Sequence, residues 1–429
     1  MSARTLAQWL AFIERQHPQS IALGLDRVRA ALERLRLRVA CPVITVAGTN
    51  GKGSVCAMLE CILGASGRRV GLYTSPHLLR YNERVRIGGV ELEDEALAAA
   101  FEAVERARGE IALTYFEFGT LAALWLFARE ALDALVLEVG LGGRLDAVNA
   151  VDADCAVITG IDLDHQDYLG GDRESIGREK AGIFRAGRPA IVADPAPPAS
   201  VLEEAERVDC RLLLLDRDFG YRVHEAQWDY WGPGGGRPSL AHPALRGPRQ
   251  LRNAAAALAA LDALRDRLPV AMQDVRRGLA EVVLPGRFQA LPGRPQVILD
   301  VAHNPEAARV LADNLGASGF APETIAVFGM LRDKDIVGAV RAIAPRITRW
   351  HLATLGGARG ASAAELAAAL RVAGVTAPHT EHDSLAAAWT AARDEAGEND
   401  KIVAFGSFLT VAEVMQCLAV PAHGVGSHG

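Results

Sequence analysis

The stretch 46-VAGTNGKGSV-55 follows the apolar run 43-VITV-46 and leads into Cys56, Ala57, Met58 and Leu59. The common phosphate-loop pattern, GxxxxGK[ST], would need Gly at position 46 and Ser or Thr at position 53. This chain has Val46 and Gly53 there. The parts nevertheless come in the order a phosphate site needs: a strand, then Gly48, Thr49, Asn50, Gly51, Lys52, Gly53 and Ser54, then a helix. Glycine permits positive φ and close backbone approach, and a helix N-terminus directs N–H groups at an anion. Lysine adds a mobile positive charge, and a nearby hydroxyl can hold Mg²⁺. A chance Gly-rich turn between strand and helix is the alternative, but it would not need Lys52.

The pattern extends in both directions. The runs 43-VITV-46, 134-ALVLEV-139 and 156-AVIT-159 are continuous apolar segments followed by Gly or Asp, as expected of central strands in a parallel sheet covered on both faces. Val55, Met58, Leu59 and Ile62 recur at helical spacing directly after the loop, and 119-GTLAALWLFAREAL-132 reads as another helix. This alternation predicts an α/β fold, with a P-loop-containing, doubly wound, mostly parallel sheet domain over residues 1–285. The Gly-, Pro- and Arg-rich stretch 228–250 is expected to form irregular loops or an edge hairpin, before a helix over 252–268. The turn-rich segment 284-LPGRFQALPGRP-295 marks a domain boundary. Beyond it, 297-VILD-300, 325-IAVFGM-330 and 402-IVAFG-406 predict a smaller C-terminal α/β, Rossmann-like domain over 286–420. Residues 421–429 are expected to be a disordered tail.

Bulk properties narrow the class. Among 429 residues, 46 are basic and 52 acidic, for a formal charge of −6, which argues against a nucleic-acid binder. The six cysteines form no C-x-x-C pair and no zinc-like spacing, and read as reduced thiols. Leu6, Trp9, Leu10 and Ile13 give the N-terminus an amphipathic helix rather than a signal peptide, and no apolar run is long enough to span a membrane. A cytoplasmic protein is expected.

Some polar residues already stand out. Glu138 lies inside an apolar strand, where a carboxylate is costly unless paired or bound to metal. Strand C-termini are where α/β proteins bind ligands, so a magnesium ligand is the functional reading and an ion pair the structural one. His165, in 162-DLDHQDYLG-170, taken alone is an ordinary hydrogen-bonded loop residue, because Mg²⁺ prefers oxygen. Arg80, Arg84 and Arg86 form a local basic cluster that could equally be a solvated loop.

The loop variant G-T-N-G-K-G-[ST] resembles the ATP loop of the Mur ligase superfamily. The segments 72-LYTSPHLLRYNERVRI-87, 114-TYFEFGTLAAL-124, 138-EVGLGGRLDAVN-149, 162-DLDHQDYLG-170, 178-REKAGIF-184, 285-PGRF-288 and 299-LDVAHNP-305 resemble the folylpolyglutamate synthase family, most closely its bacterial bifunctional branch. The likeness runs from 21-IALGLDRV-28 to 404-AFGSFLTV-411. It implies an ATP-dependent ligase that adds L-glutamate to dihydropteroate and to reduced folates.

The resemblance also implies roles. Lys52 and the amides of Thr49, Asn50, Gly51 and Gly53, with Ser54, would surround the ATP phosphates. Asn253, Arg287 and Asp300 would contact ATP, and His303 would position phosphate or glutamate. Ser75, Glu138 and His165 would hold Mg²⁺. Lys180 matches a lysine that is carbamylated to hold a second Mg²⁺, a plain lysine touching phosphate being the alternative. Leu23, Gly24, Leu25, Thr114, Tyr115, Phe116, Glu117 and Leu145 would line the pteroate site, with Phe116 stacking and Glu117 accepting a hydrogen bond. Local packing is the competing account of these eight. A monomer is expected. Three other readings stay open: a purely polyglutamylating synthase; a Mur-type ligase acting on a UDP-sugar peptide, for which the loop is expected to come too early; and a non-enzymatic ATP switch.

Overall fold

The structure, a computed structural model, describes residues 4–19 and 21–418. The expected tail at 421–429 lies outside the described residues. The chain divides into two compact units, Met1–Ala244 with Leu251–Val282, and Leu245–Gln250 with Val283–Gly429.

The sheet of the first unit holds, in chain order, β1 (Val43–Ala47), β2 (Val70–Tyr73), β3 (Val85–Ile87), β4 (Val90–Glu91), β5 (Ala134–Glu138), β6 (Cys155–Ile158), β7 (Pro189–Val192) and β8 (Arg211–Leu214). Their spatial order is β4-β3-β2-β5-β1-β6-β7-β8. Six strands run parallel, and β3 and β4 close one edge antiparallel. Every residue of β1, β5 and β6 is buried, which explains their unbroken apolar sequences. Val46 of β1 lies level with Glu138 of β5 and with Val157 of β6. The phosphate-like loop, Glu138 and the 159–165 segment therefore emerge at one edge of the sheet, the carboxyl edge where crevices form.

Of the irregular loops or edge hairpin expected for 228–250, residues 228–241 form the hairpin. They belong to a separate antiparallel sheet of β9 (Gly220–Val223), β10 (Gln227–Gly232) and β11 (Gly235–Ala241). Its alternation is carried by two residues, Trp228 and Tyr230, which are buried while Trp231 faces out. The Tyr230 hydroxyl donates to Asp262 Oδ2 at 2.7 Å, and Arg237 pairs with Asp262 Oδ1 at 2.7 Å. Gly and Pro in the turns hide this pattern from a reading by composition.

The second unit carries β12 (Gln289–Leu291), β13 (Gln296–Asp300), β14 (Thr324–Phe328), β15 (Arg349–Ala353), β16 (His379–His382) and β17 (Lys401–Phe405), ordered β12-β13-β17-β14-β15-β16. All are parallel except β12. Phe328, Trp350 and Phe405 meet at its centre, with ring centroids 4.8–6.1 Å apart.

Candidate active site

The loop after β1 is shaped by two glycines, Gly48 at φ 148° and Gly51 at φ 95°. A Cβ on Gly48 would lie 1.9 Å from Thr159 Oγ1, so only glycine lets the loop approach β6 this closely. Four bonds tie the loop to the segment after β6, one of them from the Asp162 amide to Thr49 Oγ1 at 3.0 Å. The Thr49 amide donates to the Gly160 carbonyl at 2.8 Å, Thr49 Oγ1 donates to the Asp162 carbonyl at 3.0 Å, and Thr159 Oγ1 donates to the Asn50 carbonyl at 2.7 Å. This corrects the expectation for the Thr49 amide. It anchors the loop instead of facing a phosphate. Gly51 caps the helix Lys52–Ala65, whose first residues include Gly53 and the buried Ser54, and Asn253 packs against Gly51. Lys52 Nζ donates to the carbonyls of Gly48 and Thr49 at 3.0 and 3.2 Å.

Glu138 ends β5 with its carboxylate buried. The Ser75 amide, just past β2, donates to Glu138 Oε2 at 3.2 Å, so these two expected metal-site residues adjoin. His165 stands at the start of the short helix Gln166–Leu169 in the left-handed region, φ 51°. Lys180 is 3% exposed at the end of the helix Arg173–Ala181. Burial first, and then Lys52, push its amine down to about 7, against the pull of Asp164 and Asp146. Lys52, Lys180, Asp146 and Asp164 thus share one electrostatic neighbourhood.

Three distant segments meet beside it. The Gly24 amide donates to the Leu145 carbonyl at 3.2 Å. Arg27, two residues past Leu25, grips Glu117 through Nε at 3.0 and 3.2 Å and through Nη2 at 2.8 Å, and also donates to the Ala22 carbonyl at 2.6 Å. Thr114 caps the helix Tyr115–Phe127, and its amide donates to Glu117 Oε2 at 2.7 Å. The Glu117 carboxylate is therefore already filled by protein donors. The expectation that it accepts from a ligand gives way to a structural role, clamping the 21–27 turn to this helix. Phe116 lies over Gly140, with its ring 5.9 Å from Tyr73.

The Mur ligase middle domain matches residues 46–261, and the Mur ligase glutamate ligase domain matches residues 286–408. The dihydrofolate synthase/folylpolyglutamate synthase of Escherichia coli is 47% identical over 97% of this chain and 96% of its own length. The chain belongs to the dihydrofolate synthase/folylpolyglutamate synthase family of Mur ligases. The Haemophilus influenzae member is 44% identical over 95% of this chain and 96% of its own length. Among solved members, E. coli FolC in complex with DHPP and ADP superposes with a TM-score of 0.92 at 47% identity, covering 97% of this chain and 98% of that one. The Yersinia pestis enzyme complexed with AMPPNP and Mn ion superposes with a TM-score of 0.89 at 47% identity, over 97% and 98%.

The family's second domain places its own cluster on the second unit. Asp300 ends β13 and accepts from the amides of Phe288 and Ala302 at 2.9 and 2.8 Å. Desolvation raises its carboxyl above the ordinary range, opposed first by Arg287. His303 Nδ1 donates to the Val301 carbonyl at 2.9 Å, leaving Nε2 as an acceptor. The His303 and Arg287 side chains both neighbour the Phe408 ring, at 6.2 and 5.2 Å.

The sequence reading missed Arg27, Asp146 and Thr159. Asp146 is buried and accepts from the amides of Leu141 and Val148 at 2.9 and 3.0 Å. Burial drives its carboxyl up to about 7. A buried Asp directly after Leu145 was a legible signal, since an acid inside an apolar stretch needs partners.

The donor chemistry suits magnesium. Among the described residues no group of three or more His, Cys, Asp or Glu could hold a metal. Mg²⁺ in nucleotide sites takes one or two carboxylates and fills the rest with phosphate oxygens and water, so a single carboxylate beside a phosphate loop fits.

Proposed function

We propose that this chain is an ATP-dependent, ADP-forming ligase that joins L-glutamate to dihydropteroate, giving dihydrofolate, and to reduced folates, extending their glutamate chain. The observation that carries this reading is the junction of the Leu23–Leu25 turn, Leu145 and the Thr114–Glu117 helix start beside the Lys52 loop. These segments would bind the pteroate next to the nucleotide: the Gly24 amide meets the Leu145 carbonyl, and the charge of Lys52 reaches Asp146.

A carboxylate does not condense with an amine unaided. One of its oxygens attacks the γ-phosphorus, ADP leaves, and an acyl phosphate forms. The amine of L-glutamate adds to the acyl carbonyl, and phosphate departs. The protein needs no nucleophile of its own. It aligns the reactants and sets fixed charge where charge develops. In this reading Lys52 and the amides of Asn50, Gly51 and Gly53 hold the phosphates, with Ser54, Asn253, Arg287 and Asp300 completing the ATP contacts. His303 orients phosphate or glutamate. Phe116 stacks on the pterin.

Ser75, Glu138 and His165 would hold Mg²⁺, which neutralises phosphate charge. The Lys180 amine is set for carbamylation, because only the neutral form attacks CO₂, and a depressed lysine supplies it. The C–N bond forms, a proton leaves, and the resulting carbamate anion would hold a second Mg²⁺. We place the enzyme in the cytoplasm as a monomer; no helix among the described residues is long and apolar enough to cross a membrane.

The test is phosphate release with MgATP and L-glutamate, comparing dihydropteroate with tetrahydrofolate. Turnover of both acceptors is expected. Turnover of tetrahydrofolate alone would leave a folylpolyglutamate synthase, and silence with both, in protein that binds ATP, would overturn the folate reading.

A further inference from the structure

The basic cluster Arg80, Arg84 and Arg86 resolves into three different fates. Arg86 pairs with the carboxylate of Glu60 at 2.5 Å, both side chains largely buried. Arg80 lies 3.6 Å from Asp94, with both exposed. Arg84 is 9% exposed and pairs with no carboxylate among the described residues. Its Nε donates to His77 Nδ1 at 2.8 Å, and its guanidinium lies over the rings of Tyr81 and Tyr115 at 5.3 and 5.5 Å. The adjacent Glu83 makes no direct ion pair with Arg84; its carboxylate accepts from the amides of Leu78, Leu79 and Arg80 at 2.6–2.7 Å. His77 Nδ1 accepts this bond and brings no negative charge to Arg84.

A permanently charged group is thus nine-tenths buried against two aromatic rings and an imidazole that accepts its hydrogen bond. Burying a cation without an anion costs several kcal/mol, and aromatic faces recover only part of that. With Nε fixed by His77, the free edge of the guanidinium is the fork that binds a carboxylate through two parallel hydrogen bonds. Its position identifies the carboxylate. The Thr74 amide donates to the Arg84 carbonyl at 3.0 Å, which sets Arg84 against the loop whose Ser75 amide donates to Glu138 of β5. Tyr115 lies between Thr114 and Phe116. Arg84 therefore stands between the proposed pterin platform and the proposed phosphate-transfer site.

We propose that Arg84 binds a carboxylate of the folate-side acceptor, with His77 as its positioning residue. This rests on the ligase reading above. Two sources share the chemistry: the carboxylate that reacts, present in both acceptors, and the α-carboxylate of a glutamate already attached, present only in reduced folates.

The experiment measures equilibrium binding of dihydropteroate, its carboxamide, tetrahydrofolate and ADP to wild type and to Arg84→Met. Loss of a charge-assisted hydrogen bond weakens binding by about 10- to 150-fold. Loss of that size for dihydropteroate, with carboxamide and ADP unchanged, supports the reacting carboxylate. Loss for tetrahydrofolate alone supports the α-carboxylate. Equal weakening of dihydropteroate and carboxamide, weakening of ADP in their place, or no change in any ligand overturns the proposal. If Arg84→Met does not fold, Arg84→Lys keeps the charge, loses the fork, and gives the same comparison with a smaller loss. Wild-type protein that binds neither acceptor would instead defeat the ligase reading.

Discussion

Gly140→Ala tests the folate platform by adding one methyl group. Gly140 follows β5, and a Cβ there would lie 2.6 Å from Phe116 Cζ and 2.8 Å from Cε2. Carbon atoms prefer roughly 3.5–4.0 Å, so one partner must retreat by about 1 Å. The backbone at Gly140 is tied down through its neighbour Leu141, whose amide donates to Asp146 Oδ2 at 2.9 Å. The Phe116 ring is therefore the part that moves. Overpacking of this kind costs ~1–3 kcal/mol, read as a fall in Tm of about 2–4 °C per kcal/mol. A heteroaromatic base stacked on an aromatic side chain is worth ~1–3 kcal/mol, so displacing the ring weakens dihydropteroate binding about 5- to 150-fold. Pterin fluorescence titration reads the acceptor and calorimetry reads ADP, whose affinity is expected to hold. Phe116→Ala removes the clash, so the double variant should bind no worse than Phe116→Ala alone. Unchanged dihydropteroate affinity in Gly140→Ala would refute the platform, and so would an equal loss of ADP.

Other perturbations separate the remaining parts of the site. Arg27→Met strands the buried Glu117 carboxylate, an uncompensated acceptor costing ~1–3 kcal/mol; a lower Tm and a raised KM for the folate-side substrate are expected, with KM for ATP unchanged. Thr159→Val keeps the shape but loses the bond to the Asn50 carbonyl, worth ~1 kcal/mol, so KM for ATP should rise about fivefold in steady-state assays while the acceptor KM stays. Lys180, depressed to about 7, is tested by pH. Between about 7 and the ordinary lysine range near 10, the unfolded chain holds a proton that the folded chain has released, so stability rises with pH through that window and the penalty is complete below it. In CO₂-free buffer the Tm of wild type should climb relative to Lys180→Met from pH 7 to 9, and a constant difference would contradict the depressed amine.

How far the sequence could be read follows from the range of each interaction. β1, the loop and the Lys52–Ala65 helix are local in origin: an apolar strand, glycines at the two left-handed or close-approach positions, and an apolar stripe at helical spacing. Their order alone pointed to a phosphate site. Strands such as β15 escaped notice because Arg349 and His351 interrupt the run, although His351 is fully buried through hydrogen bonds to His382 and Glu395. Residue roles were harder to read, because they depend on partners far away in sequence. Glu117 reads as a ligand acceptor until Arg27, ninety positions earlier, fills it. Three arginines within seven residues look equivalent until Glu60 takes Arg86, Asp94 meets Arg80, and Arg84 is left without an anion. A motif shows which residue types are present. Which of them still has a free valence for substrate is decided by contacts that no window of sequence contains, and that is why the assignment of Arg84 needed the fold.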